Sequence, residues 1–236
     1  MQATRFVSAA ALAAGLALSG AAHALAITPA SSFFSMAAEA RATNDVGSTL
    51  MTDAGGPFAF VSATSTVGDA SITARGAGSA TFADAGSGQI VFTDIGWIST
   101  NVTNGLARLN QGLDWQYQFS IDADAVLSVS GTVASDARTT NSFGLNGFGL
   151  SVDGGSSGIF YLDDPTGAVS VALTPGAHSI RLQNFANIAA NIGTRTALMD
   201  ATFDWTITAA VPEPGTLALV GLALAGLGFG SRRSRS

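Results

Sequence analysis

The sequence contains no cysteine and no lysine, and it has only two histidines. The lack of cysteine excludes disulfides, thiol catalysis, cysteine-ligated zinc and iron–sulfur clusters. Charged residues make up only 11% of the 236 residues. Between positions 25 and 210, six arginines stand against fifteen acidic residues, a net charge of −9. Such an acidic segment repels phosphate backbones, so the composition argues against a nucleic-acid partner.

The amino-terminal stretch has the layout of an export signal. One arginine precedes an apolar run, and the small residues Ala22 and Ala24 flank His23 in "AAHALA". This pattern predicts a signal-peptide helix over residues 1–24, cleaved after Ala24 or after Ala26. The chain is therefore expected to be exported.

Residues 25–210 alternate apolar and polar side chains, as in "DWQYQFSID", "AVLSVSGTV" and "ATFDWTIT". Period two is typical of half-buried strands. About ten such strands with Gly- and Asp-rich turns predict one all-β domain, an antiparallel β-sandwich of jelly-roll type. Its predicted core comprises Trp115, Tyr117, Phe119, Leu127, Val129, Leu173, Ile180, Leu182, Phe203, Trp205 and Ile207.

Three segments need separate predictions. The stretch "VSVALTPGAHSIRL" predicts a hairpin, because Pro175 and Gly176 suit a type II turn between two alternating strands. Residues 31–44 fit either a helix or a first strand. The stretch "GTVASDARTTNSFGLNGFG" lacks alternation and predicts a long surface loop.

The chain ends in an apolar stretch with distinctive flanks. A helix over residues 214–231 would measure roughly 27 Å at 1.5 Å per residue. That length falls just short of a hydrocarbon core of about 30 Å, and flanking arginines can supply the difference. By the positive-inside rule, the arginines after the helix stay in the cytoplasm, which leaves the preceding domain outside. The flanking residues are Pro212, Glu213 and Pro214 before the helix, and Arg232, Arg233 and Arg235 after it.

This order of Pro-Glu-Pro, apolar helix and arginine cluster over residues 211–236 closely resembles the PEP-CTERM sorting signal. The resemblance implies a Gram-negative exported protein, held in the inner membrane until an exosortase-type enzyme processes it near Pro-Glu-Pro. The processed protein is then expected at the cell surface or in the extracellular matrix, often with exopolysaccharide and biofilm. The middle segment is similar to the Ser/Thr/Gly-rich β-sandwich ectodomains that often precede this signal, a likeness that transfers no catalytic residues.

Turn aspartates provide the one candidate metal site. Hard carboxylate oxygens on loops are ligands that Ca²⁺ takes. The alternative is that these aspartates are solvated and cap backbone N–H groups, since no D-x-D-x-D-G pattern is present. No other cofactor is predicted. The candidate calcium ligands are Asp122, Asp124, Asp153, Asp163 and Asp164.

Reactive groups for catalysis are scarce. His178 is the single histidine of residues 25–210, Glu39 is their single glutamate, and no G-x-S-x-G elbow occurs. Nucleophilic catalysis needs a base with an orienting partner, and glycoside hydrolysis needs two carboxylates on one bond. The sequence therefore predicts no enzyme. Trp97 and Tyr161 remain open between edge packing and a sugar platform.

The leading interpretation is a non-enzymatic, exported β-sandwich protein with a structural or adhesive part in the envelope or matrix. The alternative is a carbohydrate-binding module stabilised by calcium. A secreted hydrolase is a third, weaker interpretation.

Overall fold

Fourteen β-strands and no helix make up the described part of the chain in a computed structural model. Residues Leu25–Thr208 form one compact unit. The predicted terminal helices lie outside the described residues except for Ala24. Within the described part, no helix is long and apolar enough to cross a membrane. The described residues are 24–42, 49–54, 58–103, 105–109, 114–136, 138–139, 147–164, 167–184, 188–190 and 193–210.

The larger sheet contains eight antiparallel strands. They are β1 (Ile27–Arg41), β2 (Thr49–Ala54), β6 (Leu106–Leu109), β7 (Asp114–Ile121), β9 (Gly147–Val152), β10 (Gly155–Tyr161), β12 (Gly176–Asn184) and β13 (Ile188–Ala190). Their order is β10-β9-β12-β7-β1-β6-β13, and β2 also pairs with β1. Because Ala38 pairs with both β2 and β6, these two strands lie on opposite sides of β1.

The smaller sheet contains six strands in the order β11-β8-β14-β5-β4-β3. They are β3 (Phe58–Val67), β4 (Ala70–Asp84), β5 (Ser87–Val102), β8 (Ala125–Ser135), β11 (Ala168–Leu173) and β14 (Gly193–Ala209). β7 and β8 follow each other in sequence but belong to different sheets, and so do β10 and β11. The chain therefore crosses repeatedly between the two layers.

Aromatic rings fill the space between the sheets. Phe34 of the larger sheet meets Phe92 of the smaller one edge to face, with ring centroids 5.7 Å apart. Tyr117 meets Trp205 in a tilted arrangement, with ring centroids 5.1 Å apart. Such pairs add about 0.5–1.5 kcal/mol beyond their area burial. These contacts identify the fold as the predicted sandwich of two antiparallel sheets.

The alternation read from the sequence is confirmed in the core. All eleven predicted core residues are buried, with exposed fractions of 6% or less. The segment at residues 31–44, which fitted a helix or a strand, is strand through Arg41. Its pairing explains the choice, because Ile27–Ser35 pair with β7, with one register shift after Pro29, and the following residues pair with β2 and β6, contacts that a helix could not make.

The predicted hairpin around Pro175 and Gly176 is wrong. The preceding strand β11 pairs with β8 in the smaller sheet, whereas the following strand β12 pairs with β7 and β9 in the larger one. Gly176 does adopt a positive φ of 142°. The Pro-Gly turn thus connects the two sheets instead of two neighbouring strands.

The number of strands exceeds the prediction of about ten. Two predicted strands over residues 70–75 and 79–83 are one continuous strand, β4. Gly78 keeps this strand close to the core, since a Cβ there would lie 2.6 Å from a ring carbon of Phe34. The predicted long loop is shorter than expected, because β8 extends to Ser135 and β9 begins at Gly147.

Candidate functional site

A groove of about 470 Å³ opens on the outer face of the larger sheet. It lies where β1 and β12 begin and β7 ends. Its polar lining includes Thr28 from β1, Gln118 and Ser120 from β7, and Ser179 from β12. Side chains alternate between the faces of a strand, so these polar groups point away from the buried aromatic residues of β7.

The turn between β9 and β10 supplies an acidic wall to this groove. Asp153 and Gly154 have φ values of 52° and 79°. Positive φ at both central residues defines a type I′ turn, which matches the twist of a two-residue hairpin. The Asp153 amide donates to the Ser179 carbonyl at 2.9 Å. Asp153 Oδ1 accepts from the Ser179 amide at 2.8 Å, so the turn is fastened to β12.

His178 lies beside this turn with both ring nitrogens engaged. Its Nδ1 is 2.8 Å from Asp153 Oδ2, and its Nε2 is 2.6 Å from the Thr174 carbonyl oxygen. Both partners accept hydrogen bonds, so the doubly protonated ring suits this geometry. Burial lowers the pKa of His178, but the Asp153 and Thr174 hydrogen bonds and the Asp153 charge outweigh it and raise the pKa above 6.5.

Polar side chains continue from the groove across the outer face of the larger sheet. Ser151, Arg181, Gln116 and Phe33 stand in cross-strand register on β9, β12, β7 and β1. The Ser31 hydroxyl donates to Gln118 Oε1 at 3.1 Å, which orders one amide of this face. We call the outer face the surface carrying Phe33, Gln116, Gln118, Ser151, Tyr161, Ser179, Arg181 and Gln183.

An ion pair fixes the Arg181 guanidinium on the outer face. Arg181 Nε donates to Asp114 Oδ2 at 2.6 Å, and Arg181 Nη2 contacts the same oxygen. The Asp114 side chain is only 2% exposed, whereas that of Arg181 is 38% exposed. The buried Asp114 carboxylate therefore holds Arg181 in place and leaves part of the guanidinium exposed to a ligand.

The two aromatic residues left open by the sequence have different environments. Trp97 is buried in the core. Tyr161, on the edge strand β10, is 58% exposed, while the preceding Phe160 is buried. Tyr161 pairs across the ladder with Gly147, which has no side chain to cover the ring. A flat, exposed phenol ring of this kind can stack on an apolar ligand surface.

The five predicted calcium ligands lie in three separate connections between strands. Asp122 accepts a hydrogen bond from the Ala26 amide at 2.8 Å, and Asp163 accepts one from the Ser135 amide at 3.2 Å. Asp153 binds β12 as described. Although all five are described, no three of them bring carboxylate oxygens within 4.8 Å of one another. Calcium binding stays a prediction, which a melting-temperature rise in millimolar Ca²⁺ would support.

A carboxylate cluster that the sequence analysis missed lies elsewhere. Asp94, Asp136 and Asp200 each place one oxygen within 4.8 Å of the others. Arg138 bridges Asp94 and Asp136, and Arg75 Nη2 is 3.1 Å from Asp94. Hydrogen bonds from Arg138 lower the pKa of Asp136 to about 2. The arginines already balance most of this negative charge, so the cluster functions as an ion-pair network.

The fold and the outer face together define a β-sandwich protein with an open polar surface. The sequence carries a PEP-CTERM protein-sorting motif over residues 210–234. This motif implies an exported protein that is processed by an exosortase, a membrane enzyme. No curated protein matches the chain.

The matched range contains Pro212, Glu213 and Pro214 and the first two arginines of the basic tail, whereas Arg235 falls one position beyond it. These residues lie outside the described part of the chain. Ala24, at the predicted signal cleavage site, is exposed and precedes the first strand. An exposed position suits cleavage by a peptidase, and cleavage there stays a prediction.

Proposed function

We propose that this protein is a non-enzymatic structural or adhesive component of a Gram-negative envelope or extracellular matrix, within an exopolysaccharide-rich biofilm. An exported protein released by an exosortase would reach the surface or matrix with its β-sandwich intact. Its contribution there is to bind other matrix components through the outer face of the larger sheet.

The observation that carries this proposal is the outer face itself. Its groove is lined by hydroxyl, amide and carboxylate groups, and its guanidinium is held in place by a buried carboxylate. Ordered polar groups on strands present a rigid array of hydrogen-bond donors and acceptors to a ligand. A binding function needs only such an array and no reactive side chain.

The chemistry of His178 favours binding over catalysis. A general base needs a lone pair in reach of the substrate. Both nitrogens of His178 are committed to Asp153 and Thr174, and its raised pKa favours the charged ring. This arrangement supports a structural clasp between the β9–β10 turn and β12.

A second candidate function is carbohydrate binding, and Tyr161 favours it. An exposed aromatic ring at one end of the outer face, with amides and a positioned arginine on other strands of that face, offers a long sugar chain both stacking and hydroxyl recognition. The ligand would be a neutral or acidic polysaccharide chain of the matrix. Calcium stabilisation of the turns belongs to this second candidate.

A pull-down of the full-length protein on an array of immobilised polysaccharides separates the two candidates. If the outer face binds sugar, Tyr161→Ala abolishes retention while Tyr161→Phe keeps it. Gln118→Ala weakens binding about fivefold, for one hydrogen bond of about 1 kcal/mol. The matched variant Gln89→Ala, an exposed glutamine of the smaller sheet, leaves retention unchanged.

If the protein is retained by no polysaccharide while the adhesion of cells or matrix still depends on the outer face, that result favours the structural and adhesive role alone. Adhesion that is unaffected by Tyr161→Ala and Gln118→Ala together contradicts the assignment of the outer face.

A further inference from the structure

The Arg181 guanidinium keeps hydrogen-bond donors for a ligand after it has bound Asp114. Its Nε donates to Asp114 Oδ2, and its Nη2 contacts the same oxygen. A guanidinium has five N–H donors in a fixed fork, so one N–H of Nη2 and both of Nη1 remain. No residue in the described part of the chain accepts a hydrogen bond from Nη1. The Nη1–Nη2 edge therefore offers two parallel donors, which match the two oxygens of a carboxylate.

The ion pair turns its positive end toward the solvent. The Asp114 side chain is 2% exposed, whereas that of Arg181 is 38% exposed. Coulomb energy falls with distance, so a ligand above the sheet interacts more strongly with the near guanidinium than with the buried carboxylate. The pair is neutral as a whole, but it attracts an anion at this point of the surface.

Local charge at Arg181 favours an anion although the domain as a whole is acidic. Among the eight residues that define the outer face, Arg181 is the charged one. Asp153, at the end of the groove, uses both oxygens for hydrogen bonds within the domain. Asp122 lies six residues beyond Gln116, the β7 partner of Arg181, which is about 20 Å along an extended chain. Screening acts over about 8 Å at physiological ionic strength, so such distant carboxylates are screened more than Arg181 is.

Two polar side chains flank Arg181 in the same cross-strand row. Ser151 stands opposite it on β9, and Gln116 stands opposite it on β7. Neighbouring strands lie about 4.8 Å apart, so both side chains are within reach of a sugar ring whose acidic group binds Arg181. Phe33, half-buried on β1, follows Gln116 in this row and adds an apolar surface. The row thus combines anion recognition with hydroxyl recognition.

We infer that the outer face binds an acidic polysaccharide through an oxyanion on Arg181, with hydroxyl groups of the same sugar on Ser151 and Gln116. A uronate carboxylate and a sulfate ester both supply this oxyanion. The inference rests on the second candidate function, carbohydrate binding by the outer face, and it narrows the ligand from any polysaccharide to a charged one.

Three immobilised polysaccharides test the inference with the full-length protein in a neutral detergent. Polygalacturonate carries carboxylates, dextran sulfate carries sulfate esters, and dextran carries neither. We expect retention on at least one of the two acidic polymers and little on dextran, and the polymer that retains the protein identifies the oxyanion. Retention should weaken as salt is added, because mobile ions screen the charge of an exposed arginine.

Substitutions at Arg181 separate the guanidinium from the charge of the whole chain. Arg181→Gln should weaken retention about ten- to hundredfold, the effect of losing a hydrogen bond to a charged group. Arg181→Lys keeps the charge but loses the parallel donors, so it should recover only part of the binding. Arg195→Gln is the matched control. It removes the same charge at an exposed arginine of β14 and should leave retention unchanged.

A double variant controls for misfolding. Arg181→Gln alone leaves the buried Asp114 without its cation, and Asp114 Oδ1 already lacks a hydrogen-bond partner. Arg181→Gln combined with Asp114→Asn removes both charges. This double variant should be folded by circular dichroism and should bind no better than Arg181→Gln.

Equal retention on dextran and on the acidic polymers overturns the inference, and so does full retention of the folded double variant. Equal losses in Arg181→Gln and Arg195→Gln would assign binding to net charge and also overturn it. The proposed function survives these results, because it depends on the Tyr161 and Gln118 variants. Retention on none of the three polymers overturns the inference as well, and the adhesion measurement then decides the proposed function.

Discussion

The clasp between His178 and the β9–β10 turn makes the stability of the domain depend on pH. His178 joins Asp153 to the Thr174 carbonyl at 2.8 and 2.6 Å, and its ring centroid lies 5.7 Å from that of Phe119. Replacing it with glutamine removes the positive charge but keeps a polar side chain. We expect His178→Gln to destabilise the domain in acid and much less in base.

The direction in which stability changes with pH follows from the direction of the pKa shift of His178. Burial lowers the pKa of His178, but its hydrogen bonds to Asp153 and Thr174 and the Asp153 charge prevail, so the folded pKa is raised. An unfolded histidine has a pKa of about 6.5. The charged ring therefore stabilises the fold fully below about pH 6.5, and this contribution is lost as the pH rises through the folded pKa.

The magnitude is modest because the clasp is partly solvated. A hydrogen bond to a charged group contributes about 1.5–3 kcal/mol. The Asp153 side chain is 48% exposed, and solvent screening of such pairs reduces their value to about 1 kcal/mol or less. A change of about 1 kcal/mol shifts the melting temperature of a domain this size by about 2–4 °C.

Urea unfolding of residues 25–210 from about pH 5.5 to 9 measures this effect. The quantity of interest is the unfolding free energy of the natural domain minus that of His178→Gln, which cancels groups common to both. This difference should fall as the pH rises. Asp153→Asn should remove most of the pH dependence of this difference in unfolding free energy. A difference that is constant, or that grows with pH, refutes the assignment of a charged clasp.

Three further predictions concern the core, a strained glycine inside β5 and the sorting motif. Trp205→Ala should cost about 3–5 kcal/mol, measured by urea unfolding, because its ring is buried against three other aromatic rings. Gly96→Ala should lower the melting temperature far more than the control Gly68→Ala: both glycines have a positive φ, 145° and 61°, but a Cβ on Gly96 would strike the Ala197 carbonyl, whereas Gly68 has open space around it. Glu213→Ala should leave membrane insertion intact but block release, so full-length protein should accumulate in the membrane fraction; released protein of normal mass would contradict this.

Alternation predicted the sandwich correctly because burial on one face constrains every second residue. In β7, and in β14 from Phe203 to Ile207, the inward positions carry aromatic or branched side chains that pack between the two sheets. A shift of one residue would turn all of them to solvent. The same alternation could have been used to predict the position of Tyr161. Because Phe160 is the buried residue of "IFY", the next residue, Tyr161, lies on the outer face.

Pairing between distant strands could not be predicted from local chemistry. Pro175 and Gly176 have the residue types of a tight turn, and such a turn serves equally for two neighbouring strands or for a change of sheet. The same limit applies to the ion-pair network. Asp94 and Asp200 are 106 positions apart and meet only because β5 and β14 are neighbours with a register shift after Met199.

Glycine illustrates how composition can have two structural meanings in one chain. In the sequence, glycine marks turns, and Gly154 does lie in one. Others lie inside strands and make room for aromatic rings. A Cβ on Gly78 would lie 2.6 Å from Phe34, and one on Gly88 would lie 2.9 Å from Trp205 Nε1. Interiors are too closely packed to absorb such overlaps without strain. Part of the glycine content is therefore required by the large rings, which explains how a chain rich in small residues encloses a core of tryptophan and phenylalanine.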